Sequence, residues 1–302
     1  MKQAIGIDIG ATYIRIAIVN EFGTITSLKT EKTIKNNLDG FINQITNLIK
    51  EVLINSQDVS GIGIGIPGPI TPYSGYVPVL PNIGLKDFNL IDRLRPLTNL
   101  PIVLLNDANA AAYGEAILGS GKGFNLVQYI TLSTGVGGGL VYKGQIYSGK
   151  HGHAQEIGNM IINLNQPKPN IHMNQGSFEA WCSGSSLIRM AKEIGIEVNH
   201  AGQVFSNEKC TDIVNLWIKH LAIAISNLAT LYEPDIFILG GGLMQSSSYF
   251  LDRLNREIKQ YLFGDLEKFI KIAPAQLVQN AGIIGSGLAI INQNIFINLQ
   301  KQ

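Results

Sequence analysis

From Gln3 to Ile9 ("QAIGIDI") and from Tyr13 to Val19 ("YIRIAIV"), apolar side chains alternate with polar or small ones. A period of two turns one face of an extended segment inward, so both stretches are predicted to be half-buried strands. Gly10-Ala11-Thr12 turns between them, and residues 20–23 turn into a third strand near Thr24–Lys29, giving an antiparallel meander. The period then becomes that of an amphipathic helix: Leu38, Phe41, Ile42, Ile45, Leu48, Ile49, Val52 and Leu53 fall on one helical face. "GIGIGIPG" (61–68) reads as a buried strand stopped by Pro67-Gly68. "PIVLLN" (101–106) reads as another, running into an alanine-rich helix after Asp107.

The same order begins again at residue 127. "VQYITLSTGVGGGLVYKGQIYSG" (127–149) is strand, Gly/Thr turn, strand, short turn, strand; a long helix (Thr211–Tyr232) and a buried strand, "DIFILGGG" (235–242), follow. Gly10-Ala11-Thr12 and Thr134-Gly135-Val136 take equivalent places in the two halves. Such a repeat predicts an α/β protein of two related lobes with a cleft between them. The expected division is 1–118 and 119–283. The last apolar segment, Ala281–Ile297, is expected to be helical, its part from about 284 to 302 rejoining the first lobe.

Composition narrows the class. A chain of 302 residues with 45% apolar and 15% charged residues is globular and long enough for two cores. Net charge is +1 without a basic run, so nucleic acid is not an expected partner. Two cysteines, Cys182 and Cys210, give no disulfide framework and suit a reducing compartment. No uninterrupted apolar stretch reaches the ~18 residues of a membrane span. Asp8 inside the first apolar run argues against a signal peptide. A cytoplasmic protein is expected.

Three glycine turns, "DIGAT" (8–12), "STGVGGG" (133–139) and "LGGG" (239–242), each follow an apolar strand. Glycine lets backbone amides approach a ligand, and successive N–H groups form an anion-binding concavity. Taken singly, each is more often a tight hairpin or a strand end than a phosphate site. None is a P-loop, and none fits G-x-G-x-x-G opening a helix. Two threonine-bearing turns in a repeated frame, with a third glycine run, point to a nucleoside triphosphate: one turn for each end of the phosphate chain, the third for the nucleoside. "LLNDANAAAYGE" (104–115) raises a second choice. Asn106-Asp107 at a strand–helix junction is either a helix N-cap or a carboxylate held for proton transfer.

"IGIDIGATYIRIAIV", "NDANAAAYGE", "STGVGGG", "HGHAQEIGN" and "FILGGG" occur in the order and spacing of the ROK family of bacterial sugar kinases, which this chain resembles from about residue 4 to 290. The resemblance implies the actin-like, hexokinase-type superfold, with two ribonuclease H-like lobes of mixed sheets flanked by helices. It implies ATP with Mg²⁺, a hexose or N-acetylhexosamine as acceptor, and a homodimer. By the family pattern Asp107 is the base that takes the proton of the attacking sugar hydroxyl, and Asp8 is the magnesium-side carboxylate, acting through water. Gly10, Ala11, Thr12, Thr134 and Gly135 clamp the phosphates, and Gly240, Gly241 and Gly242 lie against adenosine. Gly68, Asn82, Asn106, Glu156 and Glu179 map onto the sugar pocket. On residues alone, Asn82 reads as a turn residue after Pro81, Glu179 as a solvent-facing charge and Arg15 as an outward strand charge left outside the site. ROK repressors carry a DNA-binding extension before the first strand; this sequence begins at that strand, so a repressor is not expected.

One region departs from the family. Many relatives carry Glu-x-Gly-His followed by a Cys-x-Cys-Gly-x-x-Gly-Cys cluster that binds zinc with the histidine. This chain reads Glu156-Ile157-Gly158-Asn159, then "NQPKPNIHMNQGSFEAW" with no cysteine. Zinc needs about four tetrahedral N, S or O ligands. His151, His153 and His172 match no ligand spacing, so no zinc is expected. The family histidine touches the sugar, which places Asn159 in the substrate pocket and leaves the sugar open. Pro167, Pro169, Phe178 and Trp181 are the expected braces of the loop between Asn163 and Phe178. The expectation is a kinase acting on the 6-hydroxyl of glucose or an epimer; "DIGATYIR" is similar to the opening of allose kinases. N-acetylmannosamine and β-glucoside kinases are alternatives, and a non-catalytic sugar-binding regulator is the alternative from another class.

Overall fold

The computed structural model describes residues 1–54, 58–71, 73–165 and 173–297. The first half runs β1 (Gln3–Ile9), β2 (Tyr13–Asn20), β3 (Ile25–Lys32), α1 (Leu38–Leu53), β4 (Val59–Ile66), β5 (Tyr76–Leu80), β6 (Leu85–Asn89), α2 (Leu90–Leu94), β7 (Ile102–Asn106) and α3 (Asp107–Leu118). The second runs β8 (Leu126–Leu132), β9 (Val136–Tyr142), β10 (Gln145–Ile146), α4 (Phe178–Cys182), α5 (Gly184–Glu193), α6 (Gly202–Ser206), α7 (Thr211–Tyr232), β11 (Ile236–Gly240), α8 (Ser247–Glu257), β12 (Ile272–Pro274) and α9 (Ala281–Asn292).

Two sheets carry the repeat. One has the order β3-β2-β1-β4-β7, the other β10-β9-β8-β11-β12. In the first, β1 pairs antiparallel with β2 and parallel with β4; in the second, β8 pairs parallel with β11. Each sheet is therefore a meander extended by parallel strands, the mixed topology that the doubled hydrophobic pattern implies. Contacts along the chain define two units: Met1–Asn125 with Gly139–Gln155 and Gln276–Gln302, and Leu126–Gly138 with Glu156–Ala275.

In the first unit, Ile5, Ile7, Ile9, Ile14 and Ile16 are fully buried in one core with Phe41, Ile45 and Leu48 of α1. The expectation of half-buried strands is corrected for β1: its other face is covered as well. Ala4 is fully buried, and a Cβ on Gly6 would collide with the Ile283 carbonyl of α9. Small residues on that face let a helix lie against strand backbone, so an alternation of large and small records two buried faces rather than one. The β5–β6 hairpin, which the periodicity did not reveal, adds Val77, Leu80, Leu85 and Phe88 to the same core. Pro78 interrupts the strand signal of β5, and a two-stranded ribbon tolerates its missing N–H.

The closing helix is shorter than the apolar pattern suggests. α9 stops at Asn292, and Gln293 and Asn294 adopt left-handed conformations with φ of 50° and 47°. Beyond them Ile295 and Phe296 are buried as extended chain, with the Ile295 carbonyl accepting from Ile146 N at 2.6 Å. Burial continues past the helix end, which is why hydrophobicity alone overruns it.

In the second unit, Trp217 of α7 packs with Phe205 and Phe250, ring centroids 5.3 and 5.0 Å away. Among the described residues the helix ending at Tyr232 is the one long and apolar enough to cross a membrane, and 67% of its most apolar window is buried in the protein.

Candidate active site

At the β7–α3 junction the capping and carboxylate readings fall on different residues. Asn106 is the N-cap of α3: its Oδ1 accepts from Asn109 N at 3.0 Å, and its Nδ2 donates to the Gly68 carbonyl at 3.0 Å. Gly68 has φ of 92°, left-handed backbone that suits glycine after the β4 strand. Asp107 is the first helical residue, and its Oδ1 accepts from Ala108 N at 2.8 Å. Burial pushes the Asp107 carboxyl above its usual range, partly offset by that N–H.

Asp8, on β1, belongs to the same cluster. Burial and the charge of Asp107 raise its carboxyl to about 6, while Arg15 pulls it down. Arg15 sits opposite Asp8 in the β1–β2 register. The reading of Arg15 as an outward charge is corrected: its guanidinium donates to the Gln279 carbonyl and to Asn280 Oδ1, the latter at 2.8 Å. Its strand neighbours gave no sign of that anchor, because the partners are some 264 residues further along the chain.

The first glycine turn is tied to the end of the meander. Gly10 N donates to Tyr13 O at 2.9 Å, Thr33 Oγ1 donates to Gly10 O at 2.7 Å, and Thr33 N donates to Thr12 O at 3.0 Å. The Ala11 side is partly buried and Thr12 is exposed. Asn82 is exposed in the tight turn between β5 and β6.

In the second unit, the Ser133–Gly135 turn is held from behind. Ser133 O accepts from Gly184 N at 2.7 Å, and Thr134 O accepts from Ser185 N at 3.2 Å and Ser185 Oγ at 2.8 Å. These bonds join the turn to the start of α5 and leave the Thr134 side chain exposed. Glu179 closes the other side: its Oε2 accepts from Val136 N at 2.9 Å, and a Cβ on Gly135 would collide with that oxygen. Burial raises the Glu179 carboxyl, offset by the Val136 N–H, so the solvent-facing reading of this residue is corrected. Gly241, with φ of 88°, packs on the Leu132 backbone, whereas Gly242 has open space where a Cβ would stand. Thr134, Ser185, His200, Gly242 and Gln245 line an open cavity of about 740 Å³. The second and third turns thus meet at one cavity within the second unit.

Glu156 is exposed beside a single helical turn, Ile157–Asn159. Asn159 is clamped to Asn174: its Oδ1 accepts from Asn174 N and its carbonyl from Asn174 Nδ2, both at 3.0 Å. His151 and His153 are exposed in the first unit; His172, Pro167 and Pro169 lie outside the described residues. Among the described residues no group of three His, Cys, Asp or Glu is arranged to hold a metal ion.

The ROK family pattern matches residues 4–293. A glucokinase from Halalkalibacterium halodurans is 30% identical, the alignment covering 96% of this chain and 95% of that protein. The structure of a ROK glucokinase from Streptomyces griseus in complex with glucose and AMPPNP superposes with a TM-score of 0.81 at 28% identity, over 96% of this chain and all of that one. A xylose repressor from Bacillus subtilis is 27% identical over 96% of this chain and 77% of its own length. With the actin-like repeat, the glycine turns in their places and a match over nearly its whole length, the chain belongs to the ROK family, as a variant whose sequence lacks the zinc-binding cysteine cluster.

Proposed function

We propose that this protein is an ATP-dependent sugar kinase that transfers the γ-phosphate to the 6-hydroxyl of a hexose, with glucose or an aldohexose epimer such as allose as first choice. The observation that carries the reading is Asp107, a carboxylate fixed at the first turn of α3 with its affinity for protons raised by burial. Phosphoryl transfer asks the protein for positioning, charge neutralisation and a proton acceptor. Asp107 takes the proton of the attacking hydroxyl as its oxygen bonds to phosphorus, and ADP leaves with the electrons of the broken bond. Asn106 is held by two hydrogen bonds and still has one amide N–H and one lone pair for a sugar hydroxyl. Asn159, Glu156 and Glu179 supply further partners for hydroxyls, with Gly68 and Asn82 completing the substrate set.

Gly10, Ala11, Thr12, Thr134 and Gly135 are the phosphate turns of this reading; Gly240, Gly241 and Gly242 border adenosine. Two neighbouring carboxylates facing one guanidinium leave excess negative charge that a divalent cation fits. Mg²⁺, held by Asp8 through water, would neutralise phosphate charge during transfer. The likeness to glucokinases supports glucose over N-acetylmannosamine and β-glucosides as the first acceptor to try. A homodimer acting on free sugar, with no nucleic-acid partner, completes the reading. The kinship with a xylose repressor favours one alternative, a sugar-binding regulator without turnover. Assaying ADP release with Mg²⁺-ATP across a panel of hexoses separates the two: sugar-dependent ADP supports the kinase, and sugar binding without ADP supports the regulator.

A further inference from the structure

Behind the loop that Trp181 is expected to brace lies a cluster whose further member, His220, the sequence did not reveal. His220 is buried on α7, and its ring stacks on Trp181 with centroids 3.7 Å apart and planes within 6°. His220 Nδ1 is 2.8 Å from the Leu216 carbonyl, and Nε2 is 3.0 Å from Asn163 Nδ2. These partners fix the tautomer. A carbonyl only accepts, so Nδ1 carries the proton and the bare Nε2 accepts from the Asn163 amide. The amide cannot turn around without loss, because Asn163 Oδ1 already accepts from Asn165 N at 3.0 Å. Asn163 O accepts from Trp181 Nε1 at 2.8 Å, and Asn163 N donates to Gly176 O at 3.2 Å. Every polar group of Asn163 is thus committed.

The cluster reaches both ends of the loop. Trp181 and Glu179 share α4, which is only five residues long, so anchoring the indole fixes the direction of the Glu179 carboxylate. Phe178 N donates to Met160 O at 2.7 Å, and Ile161 bridges Ser177 in antiparallel fashion, so Asn159 and Glu179 flank the same end of one short ladder. Burial in apolar surroundings lowers the affinity of His220 for protons, in keeping with its acceptor role.

We propose that His220, through Trp181 and Asn163, is the positioning residue that holds Glu179 and Asn159 in their sugar-binding arrangement, doing by uncharged hydrogen bonds and stacking what a metal-bound cysteine cluster would do. The proposal rests on the reading of Glu179 and Asn159 as sugar ligands. It assigns the bracing of the loop to a helix distant in sequence, rather than to local prolines.

Two substitutions separate its parts. His220→Phe keeps a ring against Trp181 and removes both hydrogen bonds; His220→Gln keeps an acceptor for Asn163 without the ring. Binding of glucose and of ATP is measured separately by calorimetry on the full chain, with hydrogen exchange over residues 159–165 and 173–182. His220→Phe is expected to weaken sugar binding about tenfold or more, to leave ATP affinity within about twofold, and to speed exchange in that loop, with His220→Gln restoring much of both losses. Equal sugar affinity and unchanged exchange in His220→Phe would overturn the proposal, as would equal weakening of sugar and ATP. If either variant does not fold, the nitrogen chemical shifts of His220 in the wild-type protein decide: a protonated Nδ1 and bare Nε2 are expected, and the opposite tautomer overturns it. If wild-type protein binds no sugar at all, the kinase reading fails, and exchange in the loop alone decides whether the brace exists.

Discussion

Asn106 Oδ1 accepts the backbone N–H of Asn109 at 3.0 Å, so the cap of α3 is the residue before Asp107 and not Asp107 itself. Asp107 Oδ1 in turn accepts from Ala108 N at 2.8 Å. Asp107→Asn keeps an acceptor for that N–H and the same shape. Its kcat should fall by at least about 10²-fold, the lower scale for a general base. Melting temperature should not fall, since the charge removed is one that burial disfavours, and ATP affinity should hold. A variant retaining more than about a tenth of wild-type kcat would remove Asp107 from proton transfer.

The cavity proposed for the nucleotide can be probed without disturbing the proposed sugar ligands. Gly135 is the wrong target, because a side chain there strikes Glu179 as well as any phosphate. Gly242 is better: a Cβ there meets nothing within 4 Å, yet the residue lines the cavity. Gly242→Val should leave melting temperature within about 2 °C, a surface-scale effect, and weaken ATP binding about tenfold. Sugar affinity without nucleotide should stay within about twofold. Unchanged ATP affinity would take this turn out of the nucleotide site.

Asp8 gives a pH dependence with a definite sign. Its carboxyl is raised from 3.8 to about 6, so the folded protein keeps a proton that the unfolded chain has already released. The ionised group therefore costs stability, a cost that grows as pH rises from 3.8 to about 6 and is constant above. In metal-free protein, Asp8→Asn should be more stable than wild type at pH 8 by about 1–3 kcal/mol. The gap should close as pH falls through 6. Equal denaturation curves at both pH values would show that Asp107 and burial do not strain this carboxylate, while kcat should fall in the variant whenever Mg²⁺ is supplied.

Zinc should be dispensable. The cysteine cluster is missing from the sequence, and Asn159 spends its side-chain oxygen on Asn174. Protein purified without added metal should contain well under one zinc per chain, and a zinc-selective chelator in excess Mg²⁺ should change neither melting temperature nor activity. Stoichiometric zinc with loss of folding on chelation would return His151, His153 and His172 to consideration as ligands.

What the sequence made legible was whatever is local or repeated. The period-two and helical stretches located the meander, α1, β4, β7, α3 and α7, and the doubled Gly/Thr turns located the two sheets' matching corners. The cap of α3 was half legible, since Asn-Asp at a junction does not say which of the two caps. What stayed hidden depends on partners far along the chain. Arg15 finds Asn280, and His220 finds Asn163; neither spacing leaves a periodic trace. His220 interrupts a largely apolar helical face, and a histidine buried there needs hydrogen-bond partners, which was the available signal. The end of α9 was missed because Ile295 and Phe296 are buried without being helical.

The central claim is that this chain phosphorylates the 6-hydroxyl of a hexose with Asp107 as proton acceptor. Phosphorus NMR of a reaction holding purified protein, Mg²⁺-ATP and glucose or allose reads it directly, with Asp107→Asn as the matched control. The account predicts one sugar 6-phosphate formed for each ADP, and at least about 10²-fold less in the variant. ADP without a sugar phosphate, phosphate on another carbon, or sugar bound with no turnover by wild-type protein would contradict it.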